Sequence, residues 1–399
     1  MDAHSPHASL KILLPLLAAI IAISPLAIDM YLPAMSRIAA DLHSSLPLVQ
    51  QSMSLYLAGY ACGMLLFGPL ADKLGRKLML RIGLTGFMLA SIGLVLAPDI
   101  GSFLAARALQ AFFGSAATVV VPGYIRQVYG EHTAKGMSYV SLIMMLAPLI
   151  APTVGSGIMQ LWHWQGIFVL LATYAALLII LSGCVRLPAE PPRALSHTPM
   201  SFFGRYKRVF GRANILPGIG ASMLTSFAFF TYLTAAPVLY MEIFGLSSST
   251  FALVFGANVG ALMLANVINT RLVSRLGSKR ILKLGSLLAC TIALLLALAA
   301  FMAWPLWLQM VLIAGLIGFG AMASVNADAL VIMQFSEETG TATAVMSTLK
   351  FGGGALAGPI LAGFHSSSAW PFALMIFITQ LLVLGCYGLA YSSLSKRLR

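Results

Sequence analysis

Charged residues are scarce in this chain: they make up 9% of its 399 residues, against about 25% in a typical soluble domain. Negative charge is the scarcer sign, with 11 Asp and Glu beside 24 Lys and Arg. Hydrophobic residues reach 59%, and the mean hydropathy is +0.92. Such a composition cannot cover the surface of a soluble domain, so it predicts a polytopic membrane protein.

Several function classes lack their sequence signals. The four cysteines are far apart in apolar segments, a spacing that indicates neither a metal site nor disulfides. No Walker phosphate-binding motif and no Ser-His-Asp grouping occurs, so we expect no cofactor, no metal and no enzymatic activity. The net charge of +13 does not indicate nucleic-acid binding, because the basic residues stand in short segments between apolar runs.

The sequence does contain twelve long apolar runs. Each can form a helix that crosses roughly 30 Å of hydrocarbon, and runs of this length exclude a barrel, whose strands have about 10 residues. We therefore predict an all-α membrane protein with twelve transmembrane helices in a lipid bilayer. The predicted spans are residues 11–35, 46–70, 78–97, 101–123, 137–159, 166–186, 214–240, 248–270, 281–302, 306–333, 342–364 and 371–393.

The basic residues are distributed unevenly across the predicted membrane. Of the 24 Lys and Arg, 21 lie at the termini or in loops on the same side as the termini. Only Arg37 lies on the opposite side, while Arg107 and Lys350 fall within spans. The positive-inside rule therefore predicts that both termini are cytoplasmic, and we expect the protein in the inner membrane of a bacterial cell.

A polar connection at residues 187–213 divides the spans into two sets of six. We predict a solvated cytoplasmic linker whose basic second part lies on the membrane surface; the alternative is a partner-binding role. The chain also repeats itself, because LADKLGRK after span 2 corresponds to LVSRLGSKR after span 8, at an offset of 202 residues. We therefore predict two pseudo-symmetric six-helix bundles, residues 1–186 and 214–399, an arrangement typical of transporters.

The loop between spans 2 and 3 carries the most specific motif. Gly68 permits close approach of helices, and Gly75 permits a tight turn. The charged residues Asp72, Arg76 and Lys77 can latch this hairpin against a neighbouring helix end. At all five positions the stretch resembles the loop 2–3 signature of the major facilitator superfamily. The resemblance extends over essentially the whole chain and implies the major facilitator fold and transport by alternating access.

Span 4 carries a basic residue deep within its apolar sequence. Arg107 lies about four helical turns from the predicted cytoplasmic end, where its charge needs a partner, and Gln110 lies one turn away on the same face. The pair resembles the span 4 motif of the superfamily, although Ala111 stands where Gly is usual. The resemblance assigns Arg107 to proton transfer; the alternative is an arginine that pairs for structural reasons.

Span 5 contains a kink motif. Pro148 and Pro152 bend the predicted helix, and Gly155 permits close packing. The stretch resembles the antiporter motif of drug/proton antiporters, but other small residues replace two of its glycines. The resemblance implies export, although the departures weaken the motif.

Span 1 contains a carboxylate, Asp29, in an apolar segment between Pro25 and Pro33. An acid in hydrocarbon is costly and usually faces a polar pathway; the alternative is an acid wetted by headgroups at the end of its helix. This stretch and WHWQGIF at residues 162–168 resemble the bicyclomycin-resistance and chloramphenicol-resistance branch of the drug/proton antiporters. The resemblance implies that Asp29 takes up protons in competition with substrate, and that Ile21 replaces a second acid that some relatives carry.

Aromatic and polar residues within the spans are candidates for substrate binding. In span 7, Phe227, Phe230 and Tyr232 either line an apolar pocket or pack against neighbouring helices. The hydrogen-bonding candidates, which could instead join helices to one another, are Tyr56, Tyr60, Gln110, Asn258 and Asn326, together with Asp29.

Two opposite charges fall within the C-terminal spans. Asp328 lies near the end of span 10, and Lys350 lies within span 11. We predict that they form an ion pair in the cytoplasmic half and stabilise one access state. The alternative is that each separately lines a wet cavity.

These inferences favour a proton-coupled multidrug efflux transporter, a drug:proton antiporter that exports small amphipathic compounds, including antibiotics. We expect it to act as a monomer. The alternative transporter is a proton-coupled exporter of a metabolite, such as a sugar, a nucleoside or an amino acid. A channel is disfavoured because no pore-lining polar repeat occurs, and a sensor is disfavoured because no soluble output domain occurs.

Overall fold

A computed structural model describes residues 6–130, 133–185, 187–188, 215–334, 339–364 and 368–395. These ranges contain helices and no strand, which confirms the predicted all-α fold. Eight α-helices lie in the described part of the N-terminal half. They are α1 (Pro6–Asp29), α2 (Met35–Asp41), α3 (Leu46–Leu74), α4 (Arg76–Val95), α5 (Ile100–Val119), α6 (Val121–Tyr129), α7 (Thr133–Leu161) and α8 (Gln165–Cys184).

The C-terminal half contains six further α-helices in its described residues. They are α9 (Leu216–Pro237), α10 (Ser248–Phe301), α11 (Leu306–Ile332), α12 (Thr339–Ala355), α13 (Ala357–Ala362) and α14 (Trp370–Ser395), with a π-helical segment at Val238–Ile243. The chain forms two compact units, residues 1–199 and 200–399. The predicted connection at 187–213 lies outside the described residues, apart from residues 187–188.

Ten of the described helical segments are long and apolar enough to cross a membrane. Their number differs from the twelve predicted spans for two reasons. The predicted spans 8 and 9 form the single 54-residue helix α10, interrupted at Gly277, whose backbone is not helical. The predicted span 5 lies within α7, a helix of 29 residues, of which Leu146–Leu161 is the apolar stretch whose side chains the structure describes.

Two glycines that the repeat aligns have similar backbone conformations. Gly75 lies between α3 and α4 with φ 100° and ψ 144°, and Gly277 lies within α10 with φ 73° and ψ 153°. Residues with a Cβ rarely adopt this region, so glycine is required at both turns. The two halves therefore share a glycine with positive φ at the repeated motif.

The first span breaks earlier than predicted, because α1 ends at Asp29. A short 3-10 turn, Leu32–Ala34, separates α1 from α2, and Pro33 within this turn has no N–H to donate. The backbone carbonyl of Met30 lies against Gly155 of α7 so closely that any Cβ at position 155 would clash with it. Asp29 therefore lies at a break in the helix, within the apolar segment Ile12–Asp41, which is long enough to cross a membrane as predicted for span 1.

Aromatic side chains fill the core where α5 meets α8. The rings of Phe103 and Trp164 have an edge-to-face arrangement with centroids 5.7 Å apart, and Phe103 and Phe168 are arranged similarly at 5.8 Å. The indole N–H of Trp164 donates a hydrogen bond of 3.0 Å to Asp41 at the end of α2. This bond ties the segment after the break to the start of α8.

Candidate functional site

Arg107 is at the centre of a buried polar cluster in the N-terminal unit. Its side chain is fully buried on α5. Its Nη1 donates hydrogen bonds to the carbonyl of Ala27 at 3.3 Å and to Oε1 of Gln110 at 2.6 Å. Gln110 in turn donates to the hydroxyl of Ser91 on α4, at 2.8 Å. Arg107 thus links the last turns of α1 to α4 and α5 through neutral groups.

Two tyrosine rings cover the guanidinium of Arg107. Its Cζ lies 4.1 Å from the ring centroid of Tyr31 and 4.5 Å from that of Tyr56, within range of cation–π attraction. The hydroxyl of Tyr31 hydrogen bonds with Ser52 at 3.1 Å, and that of Tyr56 donates to Ser24 at 3.4 Å. The positive charge is therefore stabilised by aromatic faces and a backbone carbonyl.

Asp29 lies two residues beyond the carbonyl that Arg107 binds. Its side chain is 3% exposed, and its Oδ1 is buried with no hydrogen-bond partner in the part of the chain that the structure describes. Nε and Nη2 of Arg107 are also buried and unpartnered. Among the residues that the structure describes, no ion pair within 4.0 Å joins Asp29 to Arg107. The site thus holds one buried acid and one buried base, each with unused hydrogen-bonding capacity.

One residue of the α7 motif, Gly155, lies beside the backbone that follows this acid. Pro148 and Pro152 are inside α7, and Gly155, one turn further on, packs against the backbone of Met30 next to Asp29. Gly157, two residues further along, has no atom within 4 Å of the position where a Cβ would lie. The close approach is therefore specific to Gly155, and it fixes α7 against the break in the first span.

The residues of the loop 2–3 motif occupy the junction of α3 and α4. Arg76 Nη1 donates to the carbonyl of Gly123 at 3.1 Å and to Oε1 of Gln127 at 3.3 Å, both on α6. A Cβ added at Gly68 would meet Val119 at 3.8 Å, an ordinary contact, so the close helix approach expected at this glycine is not seen among the described residues. Asp72 lies in the last turn of α3 and Lys77 in the first turn of α4. Within this unit, the motif joins the α3–α4 turn to α6.

The remaining polar candidates form hydrogen bonds between helices. Tyr60 on α3 bonds with Thr118 on α5 at 2.7 Å. In the C-terminal unit, Asn258 donates to Tyr232 at 2.8 Å and to Tyr240 at 3.3 Å. Asn326 donates to Asn269 at 2.7 Å. Asn258 and Asn326 therefore join helices of one unit to each other.

A cavity of about 380 Å³ lies within the C-terminal unit. Its wall is mostly apolar and aromatic, and it includes Phe230 and Tyr232 of the predicted substrate residues; Phe227 is not part of it. Other wall residues include Phe229, Leu316, Ile317 and Phe351, with the polar side chains of Ser226, Asn266, Ser324, Ser347, Lys350 and Gln380. Among the described wall residues Lys350 carries the one formal charge. The volume matches that of a pocket for a drug-sized molecule.

The structure brings Asp328 and Lys350 together beside this cavity. Lys350 Nζ on α12 lies 2.6 Å from Asp328 Oδ2 on α11. The hydroxyl of Ser222 on α9 donates to the other oxygen, Oδ1. About a quarter of each charged side chain is exposed, 27% for Asp328 and 24% for Lys350. Three helices therefore meet at one compensated pair of charges.

Sequence reasoning missed several residues on which these clusters depend. They are small or common polar groups in apolar helices, and their contacts depend on how the helices rotate against one another. Polar residues buried in a span were the available signal, because such groups need partners. The missed partners are Ser24, Tyr31, Asp41, Ser52, Ser91, Thr118, Ser222, Tyr240 and Asn269.

The two helical units and their intramembrane charges define a multi-pass membrane protein with a buried polar site. The chain belongs to the Major Facilitator Superfamily, whose family model matches residues 17–358. It is 28% identical to the bicyclomycin resistance protein homolog of Haemophilus influenzae over 94% of each chain. It is 30% identical to the uncharacterized MFS-type transporter YdgK of Bacillus subtilis over 98% of each chain.

Other relatives carry names from drug resistance. The chain is 30% identical to the multidrug resistance protein MdtL of Salmonella paratyphi A, over 77% of this chain and 78% of that protein. Among solved structures, a D-xylose-proton symporter matches with a TM-score of 0.75 and 18% identity, over 95% of this chain and 97% of that one. This structural likeness establishes the fold alone.

Proposed function

We propose that this protein is a proton-coupled exporter of small, amphipathic, drug-like compounds that works by alternating access. The names of two relatives support export of drugs: the bicyclomycin resistance protein homolog and the multidrug resistance protein MdtL. A protein of this kind binds and moves its substrate without altering it chemically, so we propose no enzymatic role.

The observation that carries the proposal is a buried acid and a buried guanidinium in the N-terminal unit that each keep atoms without a hydrogen bond among the described residues. Asp29 Oδ1 and two nitrogens of Arg107 are buried without hydrogen bonds. An isolated buried charge costs several kcal/mol, so such groups persist where a mobile partner satisfies them in turn. A proton, a substrate group and the Arg107 guanidinium are the partners we propose for Asp29.

The proposed cycle alternates these partners. Ionised Asp29 binds the drug directly or pairs with Arg107, which holds the backbone of Ala27 two residues away. Proton uptake by Asp29 from the periplasmic side removes that charge and releases the drug. The break after Asp29, packed against Gly155 of α7, is the element that we propose to move between access states.

The proposal includes a location and an orientation. We place the protein in the bacterial inner membrane with both termini in the cytoplasm, because 21 of 24 basic side chains fall in the loops and termini of one side. We propose that it acts as a monomer, in which the two six-helix bundles are residues 1–186 and 214–399, joined by a linker at 187–213. Protons would then enter from the periplasm, down their gradient.

A drug-susceptibility panel in an efflux-deficient strain tests the function. Expression of the chain should raise the tolerated concentration of several amphipathic antibiotics, and a protonophore should abolish the effect. If no drug is exported while a sugar, nucleoside or amino acid accumulates in the medium, the chain is a metabolite exporter and the proposal is wrong.

The variant Asp29→Asn tests the coupling mechanism. Purified Asp29→Asn should still bind drug through the remaining contacts, but with an affinity that no longer depends on pH, and a proton gradient should drive no efflux from proteoliposomes. Asp99→Asn is the matched control, because Asp99 is an exposed N-cap of α5 and Asn caps a helix equally well. Unchanged gradient-driven efflux by Asp29→Asn would contradict the mechanism.

A further inference from the structure

We propose that the cavity of the C-terminal unit binds an aromatic monocarboxylate, with its carboxylate on the ammonium of Lys350. This inference deepens the proposed function, because it names a class of substrate for a drug exporter. It rests on the chemistry of the cavity wall, on the unused donors of Lys350 and on the way in which Asp328 is held.

The cavity wall selects an aromatic body. Phe229, Phe230, Tyr232 and Phe351 line it, and the rings of Phe230 and Phe351 have centroids 5.3 Å apart. Burial of an aromatic ligand against these faces removes apolar surface from water and allows tilted ring contacts. Two fused rings fit a volume of about 380 Å³, whereas a strongly polar sugar would leave most of this wall unmatched.

Lys350 supplies the site for an anionic group. Its ammonium carries three N–H donors, and among the described residues it makes one hydrogen bond, to Asp328 Oδ2 at 2.6 Å. The side chain is 24% exposed and belongs to the cavity wall. A ligand carboxylate can therefore accept a charge-assisted hydrogen bond from a second N–H of the same ammonium.

Asp328 is arranged so that Lys350 can turn to a ligand. Its Oδ1 accepts a hydrogen bond from Ser222 on α9, so the carboxylate keeps a partner and its position when the ammonium shifts. Asp328 also limits the charge that the site accepts. Because the pair has no net charge, and a dianionic phosphate loses more hydration than a monoanion on entering a mostly apolar cavity, a monocarboxylate is favoured.

Equilibrium binding to the purified full-length protein tests this site with two probes, 1-naphthylacetate and its uncharged analogue 1-naphthylacetamide. At neutral pH the wild type should prefer the carboxylate by about tenfold. Lys350→Gln should abolish the preference, and Lys350→Arg should retain it. Asp328→Asn should strengthen carboxylate binding, because it removes the competing anion. This opposite sign distinguishes ligand binding from a purely structural role of the pair.

Two further variants serve as controls for this test. Lys283→Gln removes the same charge from an exposed position of α10 outside the cavity wall, and it should leave both affinities unchanged. If Lys350→Gln does not fold, the double variant Asp328→Asn/Lys350→Gln leaves no uncompensated charge and should also lose the preference. Equal binding of both probes by the wild type, or a preference that survives Lys350→Gln, would overturn the inference.

The outcome is separable from the proposed function. Proton-driven export of neutral or cationic drugs without a carboxylate preference would refute the Lys350 site and leave the exporter intact. A carboxylate preference without proton-driven efflux of any drug would support the site and refute the exporter.

Discussion

The two units of the chain hold their buried charges in different ways. Among the described residues of the N-terminal unit, Arg107 binds neutral groups and aromatic faces, and Oδ1 of Asp29 has no hydrogen-bond partner. In the C-terminal unit, Asp328 and Lys350 neutralise each other at 2.6 Å, beside a cavity. A charge without a counter-charge needs a mobile partner, whereas a compensated pair is stable when no ligand is bound. The comparison supports our proposals that Asp29 of the first unit exchanges protons and that the cavity of the second unit contributes to substrate binding.

The largest expected effect is at Arg107. Arg107→Leu should lower drug transport roughly 30-fold or more, because a hydrogen bond from a charged donor contributes about 2 kcal/mol. Arg107→Lys should restore only part of the transport, since an ammonium lacks the planar fork that bonds Ala27 and Gln110 while lying between two rings. Efflux from proteoliposomes measures both. Wild-type transport by Arg107→Leu would show that the buried base is only structural.

The second-largest expected effect is a loss of stability at the break beside Asp29. Gly155→Ala should destabilise the protein by about 1–3 kcal/mol, because the added methyl meets the carbonyl of Met30 and the backbone must shift. Gly157→Ala is the matched control on the same helix, since nothing lies within 4 Å of its Cβ position. Thermal unfolding in detergent measures the pair. Equal melting temperatures for the two variants would argue against close packing at the break.

A smaller loss of stability is expected at the repeated glycines, one in each unit. Gly75→Ala and Gly277→Ala each place a Cβ in a backbone conformation that favours glycine, at a cost of about 1–2 kcal/mol. Because the two positions are far apart in the chain and belong to separate units, the costs should add in the double variant. Thermal unfolding again measures them. A loss confined to one variant would mean that the repeated motif has different roles in the two units.

The smallest effect is expected for the compensated pair. The double variant Asp328→Asn/Lys350→Gln should change the free energy of unfolding by no more than about 1 kcal/mol, because the pair is partly exposed and the new amides can hydrogen bond. Lys350→Gln alone should be less stable than the double variant, since it leaves Asp328 without its counter-charge. A double variant less stable than both single variants would contradict this view of the pair.

Most of the fold and part of the candidate site could be predicted from the sequence. Long apolar runs predict transmembrane helices because only a helix satisfies its own backbone in hydrocarbon, and the resemblance at Gly68–Lys77 implied the superfamily that the family model then matched. Arg107 and Gln110 lie one turn apart, so their contact followed from helical geometry alone.

Other contacts were not predictable in this way. The cavity wall and the bonds from Trp164 to Asp41 and from Ser222 to Asp328 join separate helices, whose mutual rotation one sequence does not specify. The end of α1 at Asp29 was missed for a similar reason. The helix continues through Pro25, and the break after Asp29 coincides with packing against Gly155, which is more than a hundred residues away in the chain.

The most direct test of our central proposal, that Asp29 and not Asp328 exchanges protons, is to count the protons that drug binding displaces. Drug binding to purified protein in weakly buffered detergent solution should release about one proton per drug molecule from the wild type, because drug and proton compete for Asp29. Asp328→Asn should release as many, and Asp29→Asn should release none. If Asp29→Asn releases as many protons as the wild type, the proton site lies elsewhere and the account is contradicted.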